Sequence, residues 1–237
     1  MQTDNRPNSE VFIDLFTEIE QKLKEICGDT YHSNFSELLR RARNINPILH
    51  QFANDLREYA QLRNAIIHTR RENFIIAEPH NDVIKEIRRI RNLLYNPPKV
   101  SSIIKGVAYI ATPKTPIMEM LETFANKGFM RCPVVDGNKV ICLITAKTLA
   151  RWIITNPSNF QNASLEAVIP FADQSDYTIV SENTDIVSIV GQFKNAIKKG
   201  TYIQAVLITK NGLANSPLVG ILTPSDLPRL MEMIDEK

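Results

Sequence analysis

Two short segments of this 237-residue chain carry residue types able to do chemistry. In Gly220-Ile221-Leu222-Thr223-Pro224-Ser225-Asp226-Leu227 an apolar run ends on two hydroxyls and a carboxylate where a helix should begin. Serine and aspartate at such a place cap helices in any protein. The same atoms also suit a ribose phosphate: hydroxyls donate to phosphate, a helix start favours an anion, and a carboxylate accepts from both ribose hydroxyls. The second segment is Arg63-Asn64-Ala65-Ile66-Ile67-His68, followed by Thr69-Arg70-Arg71. Asn64 and His68 stand four apart and share a helix face, with Arg63 adjacent. A histidine with a pKa near ~6.5 can take a proton from a ribose 2′-hydroxyl or return one to a leaving 5′-oxygen. An arginine fork can hold the phosphate as its charge builds. That chemistry requires no metal. An ordinary cap or a dimer contact would use the same residues.

These segments belong to two differently patterned regions. Phe12, Leu15, Phe16, Ile19, Leu23 and Ile26 follow the spacing of a helix face, and Gly28 supplies a stop. A second helix is expected from Asn34-Phe35-Ser36, and a long one from Asn46-Pro47 to about His68. A fourth, opening at Glu78-Pro79-His80-Asn81-Asp82, carries Val83, Ile87, Ile90, Leu93 and Leu94 on one face and ends at Asn96-Pro97-Pro98. Residues 10–96 therefore read as an all-helical bundle, and residues 1–9 are expected to be disordered.

Beyond the prolines, short β-branched runs alternate with helical stretches, the pattern of βαβ units. The runs are 107–110, 132–135 and 140–144, then 178–180, 205–208 and 218–222. Their order repeats: Thr115-Pro116-Ile117 opens a helix as Thr184-Asp185-Ile186 does, and Ile144-Thr145 matches Leu222-Thr223. Two copies, 99–155 and 164–235, are expected to bury their sheets against each other and to hold a ligand between them. The extended hairpin Lys210–Pro217 accounts for most of the extra length of the second.

The duplicated region resembles a tandem pair of CBS domains. The resemblance rests on Gly220-Ile221-Leu222-Thr223-Pro224-Ser225-Asp226 and Cys132-Pro133-Val134-Val135-Asp136. It implies a regulatory module that binds an adenine nucleotide, AMP, ADP or ATP, with Asp226 on the ribose and Thr223 and Ser225 near phosphate. Arg131 stands where that family often places a phosphate-binding base, and Thr112 is a candidate for the adenine wall. The first copy departs from the pattern: aligned on the threonines, Cys142 replaces the glycine and Thr148 the aspartate. One competent site, governed by Asp226, is expected. Residues 34–96 resemble a HEPN domain through Arg63, Asn64 and His68. That resemblance implies a metal-independent endoribonuclease leaving a 2′,3′-cyclic phosphate, its site completed across a homodimer two-fold.

Composition narrows the partners. Hydrophobic content of 43% supports a real core. No run of eighteen apolar residues and no signal-peptide pattern occurs, so no membrane association is expected. Cys27, Cys132 and Cys142 are far apart and lack a Cys-x-x-Cys pair, which argues for a reducing cytoplasm and against a metal site. Net charge is +2, but residues 1–39 hold three bases and eight acids while residues 40–91 hold eleven bases and six acids. Arg40, Arg41, Arg43, Arg70, Arg71, Arg88, Arg89 and Arg91 make RNA a candidate partner of the helical region. The expected fold is thus α + α/β, an all-helical bundle followed by two βαββα repeats. The expected function is nucleotide sensing that gates a ribonuclease; the alternative is a non-catalytic sensor whose helical part dimerises or recruits a partner.

Overall fold

The computed structural model describes residues 6–28, 33–68, 77–104, 106–107, 109–158 and 161–235, without the side chains of His68 and Asp235. The chain divides into two compact units, residues 1–98 with 233–237, and residues 99–232.

In the first unit α1 (Asn8–Cys27) presents Val11, Phe12, Leu15, Phe16, Ile19 and Leu23 to the interior. It packs on α2 (Phe35–Ala42), α4 (Ala53–His68) and α5 (Asn81–Tyr95), which bury Leu38, Leu39, Leu56, Ile66, Ile87 and Ile90. Phe16 lies 4.6 Å from Phe35 between ring centroids, and Phe12 meets the edge of Tyr59 at 5.8 Å. Helix α1 starts at Asn8, inside the stretch expected to be disordered, because that end is tied down. Asn8 Nδ2 donates to the Pro79 carbonyl at 2.9 Å, and the Ser9 amide donates to Glu78 at 3.2 Å. The long helix expected from Asn46 is two: α3 (Pro47–Gln51) stops at Phe52, where φ −98° and ψ 18° leave the helical region, and α4 begins at Ala53. The break lets the buried Phe52 ring sit under the Arg89 guanidinium, 5.2 Å away.

The second unit repeats a helix, two strands and a helix. The first copy has α6 (Ile117–Lys127), β1 (Arg131–Asp136), β2 (Lys139–Thr145) and α7 (Ala146–Thr155). The second has β3 (Tyr177–Ser181), α8 (Ile186–Lys198), β4 (Ala205–Thr209), β5 (Leu218–Leu222) and α9 (Leu227–Asp235), which belongs to this unit as far as Glu232. β1 and β2 form an antiparallel pair, while β4 lies parallel to β3 and antiparallel to β5. Of the strand expected at residues 107–110 the described residues Val107, Tyr109 and Ile110 lie in no strand, and Ala108 lies outside the described residues; one parallel bridge follows, from Ala111 to Val134, where the Ala111 amide and carbonyl bond Pro133 and Val135.

β2 is covered on both faces, and a bulge arranges this. Val134 pairs with Cys142 but Val135 pairs with Val140, so Ile141 is extra and the alternation shifts. Cys142 and Ile144 then face Met120, Phe124, Leu149 and Trp152 of their own copy, whereas Val140 and Leu143 pack with Ala205 and Leu207 of β4. The extended hairpin of the second copy closes the edge of β2, its Ala214 carbonyl accepting the Val140 amide at 2.7 Å.

Residues 99–104 cross to the second copy: the Val100 and Ser101 amides donate to the Thr184 and Glu182 carbonyls, and Arg229 donates to the Ile103 carbonyl at 2.9 Å. Ile104 thereby lies on Gly220 of β5. A Cβ there would fall 2.7 Å from Ile104 Cγ2 and 3.2 Å from Ile208 Cδ1, so this glycine is a packing requirement. Gly220→Ala should cost about 1–3 kcal/mol, the range for overpacking a filled core, read as a lower urea midpoint of the second unit's unfolding.

Candidate functional site

A cleft of about 310 Å³ in the second unit is lined from both copies. Val107, Tyr109, Gly128, Phe129, Met130, Arg131 and Pro133 come from the first, and Ile221, Thr223 and Ser225 from the second. Most of the wall is apolar. Tyr109, Phe129, Met130 and Ile221 were not singled out by sequence. Tyr109 stood inside an expected strand, and Phe129-Met130 carried no signal except adjacency to Arg131.

Arg131 opens β1 opposite Thr145 and is half-buried, with Nη1 donating to the Gln204 carbonyl that leads into β4. Burial lowers its pKa while the nearby Asp226 carboxylate opposes that shift. Across the cleft, β5 ends at Leu222 and the chain turns through Pro224–Asp226 into α9. The turn is held by its own side chain: Asp226 Oδ2 accepts the Thr223 amide at 2.7 Å and the Thr223 hydroxyl at 3.0 Å, and the Asp226 amide donates to the Thr223 carbonyl at 2.9 Å. One carboxylate oxygen of Asp226 is therefore committed to the cap. Thr112 does not line this cleft. It is exposed, and its amide and hydroxyl turn to Thr115 Oγ1 at 2.9 and 3.3 Å.

The equivalent turn of the first copy is built from hydroxyls. Thr145 Oγ1 and Thr148 Oγ1 lie 2.9 Å apart, and the Thr148 amide donates to Thr145 Oγ1 at 3.1 Å. Both threonines are buried. The loop closes as in the second copy, with a hydroxyl where that copy has the Asp226 carboxylate.

In the helical unit Arg63 and Asn64 lie on a cleft of about 290 Å³, with Phe16, Glu20, Asn34, Phe35, Ser36 and Ala60. Arg63 Nη1 donates to Asn64 Oδ1 at 3.2 Å, and Glu20 accepts from Lys24 at 3.0 Å. His68 is the last residue of α4, four beyond Asn64; its side chain, and Thr69, Arg70 and Arg71, lie outside the described residues. Among the described residues Arg40 pairs with Glu37, Arg89 with Glu86 and Arg91 with Glu18.

Among the described residues no three His, Cys, Asp or Glu side chains group as a metal site would require, and no helix is long and apolar enough to cross a membrane. None of the three cysteines is in a disulfide. Cys132 and Cys142 are buried in the core of the first copy, which pushes their thiols up to about 12 and about 11.

Residues 100–155 match the family model of the CBS domain. No curated protein matches the chain. Solved structures with a similar course include a putative acetoin utilization protein, AcuB, from Vibrio cholerae, 17% identical, covering 59% of this chain and 96% of its own, with a TM-score of 0.46. CbpB in complex with c-di-AMP is 9% identical over 64% of this chain and 95% of its own, with a TM-score of 0.49. CBSX2 in complex with AMP is 15% identical over 58% and 98%, with a TM-score of 0.44.

At pH 8 the half-buried Cys27 should be alkylated in the native protein, while Cys132 and Cys142 react only after unfolding. Raised thiol pKa values stabilise the fold fully below the ordinary value of about 8.5. That contribution should drain away as pH climbs through the folded values of about 11 and about 12, visible as a fall in Tm that Cys132→Ala and Cys142→Ala each reduce.

Proposed function

We propose that the chain is an adenine-nucleotide sensor whose cleft between the two copies binds AMP, ADP or ATP and whose helical unit is the responding part. One observation carries this reading: Arg131 of the first copy and Thr223 and Ser225 of the second line the same cleft, beside an apolar wall able to take a base. The charged and hydroxyl groups suit a phosphate, and Tyr109, Phe129 and Ile221 suit a flat heterocycle. Asp226 Oδ2 is committed to Thr223, which leaves Oδ1 to accept from a ribose hydroxyl. The nucleotide acts as a regulatory ligand in a cytoplasmic homodimer, and the stiff Pro97-Pro98 connection passes its occupancy to the helical unit. Adenine nucleotides should raise the Tm of the full chain by mass action while guanine nucleotides leave it unchanged. In calorimetry Asp226→Ala should weaken binding about tenfold or more, the scale of a lost hydrogen bond to a charged group. Asp226→Asn, which preserves the shape of the turn, separates ribose contact from cap loss. Unchanged affinity in both variants would overturn the assignment of Asp226.

A second reading concerns the helical unit. Arg63 and Asn64 lie side by side on a cleft wall, with His68 four residues further along the same helix, which favours a HEPN-like, metal-independent endoribonuclease gated by the nucleotide. Arg63 would hold the scissile phosphate, Asn64 would orient it and His68 would move the proton. Single-stranded RNA incubated with excess chelator should be cut to 2′,3′-cyclic phosphate ends, with the activity lost in His68→Ala. Intact RNA with and without adenine nucleotide would leave the non-catalytic sensor.

A further inference from the structure

We propose that helix α9 is the element that couples the cleft to the helical unit, so that the state of the turn at residues 223–226 sets the stability of α5 around Arg89. The nucleotide's part in this rests on the cleft's being an adenine-nucleotide site, whereas the mechanical link rests on α9 alone. The chain passes between its two units twice. The first passage, at Pro98 and Lys99, lies outside any helix. Its prolines fix φ but leave ψ free to turn. The second passage, at Glu232 and Met233, falls inside α9, which is one helix from Leu227 to Asp235. A helix fixes φ and ψ together through its own hydrogen bonds, so loosening or shifting one end is felt at the other.

The two ends of α9 are anchored in different units. At the first end, Asp226 Oδ2 holds the amide and hydroxyl of Thr223, and Thr223 and Ser225 line the cleft. Within the same unit Arg229 Nη2 donates to the Ile103 carbonyl at 2.9 Å. At the other end Ile234 is buried, and its carbonyl accepts from Arg89 Nε at 3.2 Å within the helical unit. An arginine on a terminal carbonyl is a favourable partner for a helix C-terminus, and the bond is lost when that end frays. Arg89 is itself fixed, donating to both carboxylate oxygens of Glu86 at 2.9 Å and lying over the Phe52 ring. Leu230 and Ile234 stand four apart and are both buried, so one apolar face of α9 runs unbroken through the boundary. A ligand that tightens the turn therefore steadies α9 from its start, and the same helix carries the effect to Arg89.

The test is amide hydrogen exchange of the full chain, read peptide by peptide, first without ligand. Asp226→Ala opens the turn, and Thr223→Val, which removes one of its two bonds to the carboxylate, is the milder perturbation. Each should speed exchange in α9 and in residues 86–95 of α5 by about twofold or more, the low end of what losing a helix cap costs. Two uncoupled chains serve as controls: one with two glycines inserted between Glu232 and Met233, and Arg89→Lys, which keeps a charge for Glu86 but loses the Nε donor to Ile234. In both, opening the turn should leave α5 exchange unchanged. AMP, ADP and ATP, added in turn at saturation, should slow exchange at the turn in the wild-type and both uncoupled chains, but slow it in α5 of the wild type alone. Exchange in α5 that ignores both turn variants, or that still follows the turn in both uncoupled chains, would overturn α9 as the link. Binding of none of the three nucleotides would overturn the reading of the cleft, while the comparison without ligand still decides α9.

Discussion

Leu143 of β2 and Ala205 and Leu207 of β4 are fully buried in one cluster, and this apolar seam is the constraint on which the second unit depends. Neither small sheet could cover both its faces alone: β1 and β2 form a pair, and the other sheet has three strands. Because the seam joins strands from different copies, it places the start of β1 near the end of β5. Arg131 consequently shares a cleft with Thr223 and Ser225, nearly a hundred residues later in sequence. The same seam makes the Gln204 carbonyl available to Arg131. The bulge at Ile141 is part of this arrangement, since without the shift Val140 and Leu143 would point to opposite faces.

Within that frame the polar groups of the cleft have divided duties. Asp226 closes its own turn with one carboxylate oxygen, and Arg131 braces the second copy with one nitrogen. These internal bonds hold both side chains in place. The two duties also explain why the first copy can lose the aspartate without losing the turn: the hydroxyls of Thr145 and Thr148 close it.

The helical unit follows a different rule. Its helices pack on α1, whose apolar face is continuous from Val11 to Leu23, and Arg40, Arg89 and Arg91 are each paired with a carboxylate. Glu37, Glu86 and Glu18 lie within reach of Arg40, Arg89 and Arg91 once the helices form. Arg91 with Glu18 joins α5 to α1 across 73 positions of sequence, and no linear count reveals such a pair.

Local pattern determined a great deal. The periodicity of residues 12–26 and 83–94 specified helices, the recurrent β-branched runs specified the duplication, and Thr223–Asp226 marked a capped turn, because each signal depends on neighbours within one or two turns of chain. The signals that failed were those where local preference met a tertiary demand. Val107, Tyr109 and Ile110 lie in no strand, with a single bridge at Ala111 after them, the expected long helix broke at Phe52 so that its ring could pack, and Asn8 joined α1 because Pro79 and Glu78 tether it. The cleft shows the same division. Of its lining residues Thr223, Ser225 and Arg131 were legible as types in a motif, whereas Tyr109, Phe129 and Ile221 were not. An apolar wall has no signature of its own, since a residue lining a cleft and one filling a core obey the same alternation. Which faces meet is decided by burying Leu143 against β4, a contact between distant segments that exists only in the folded chain.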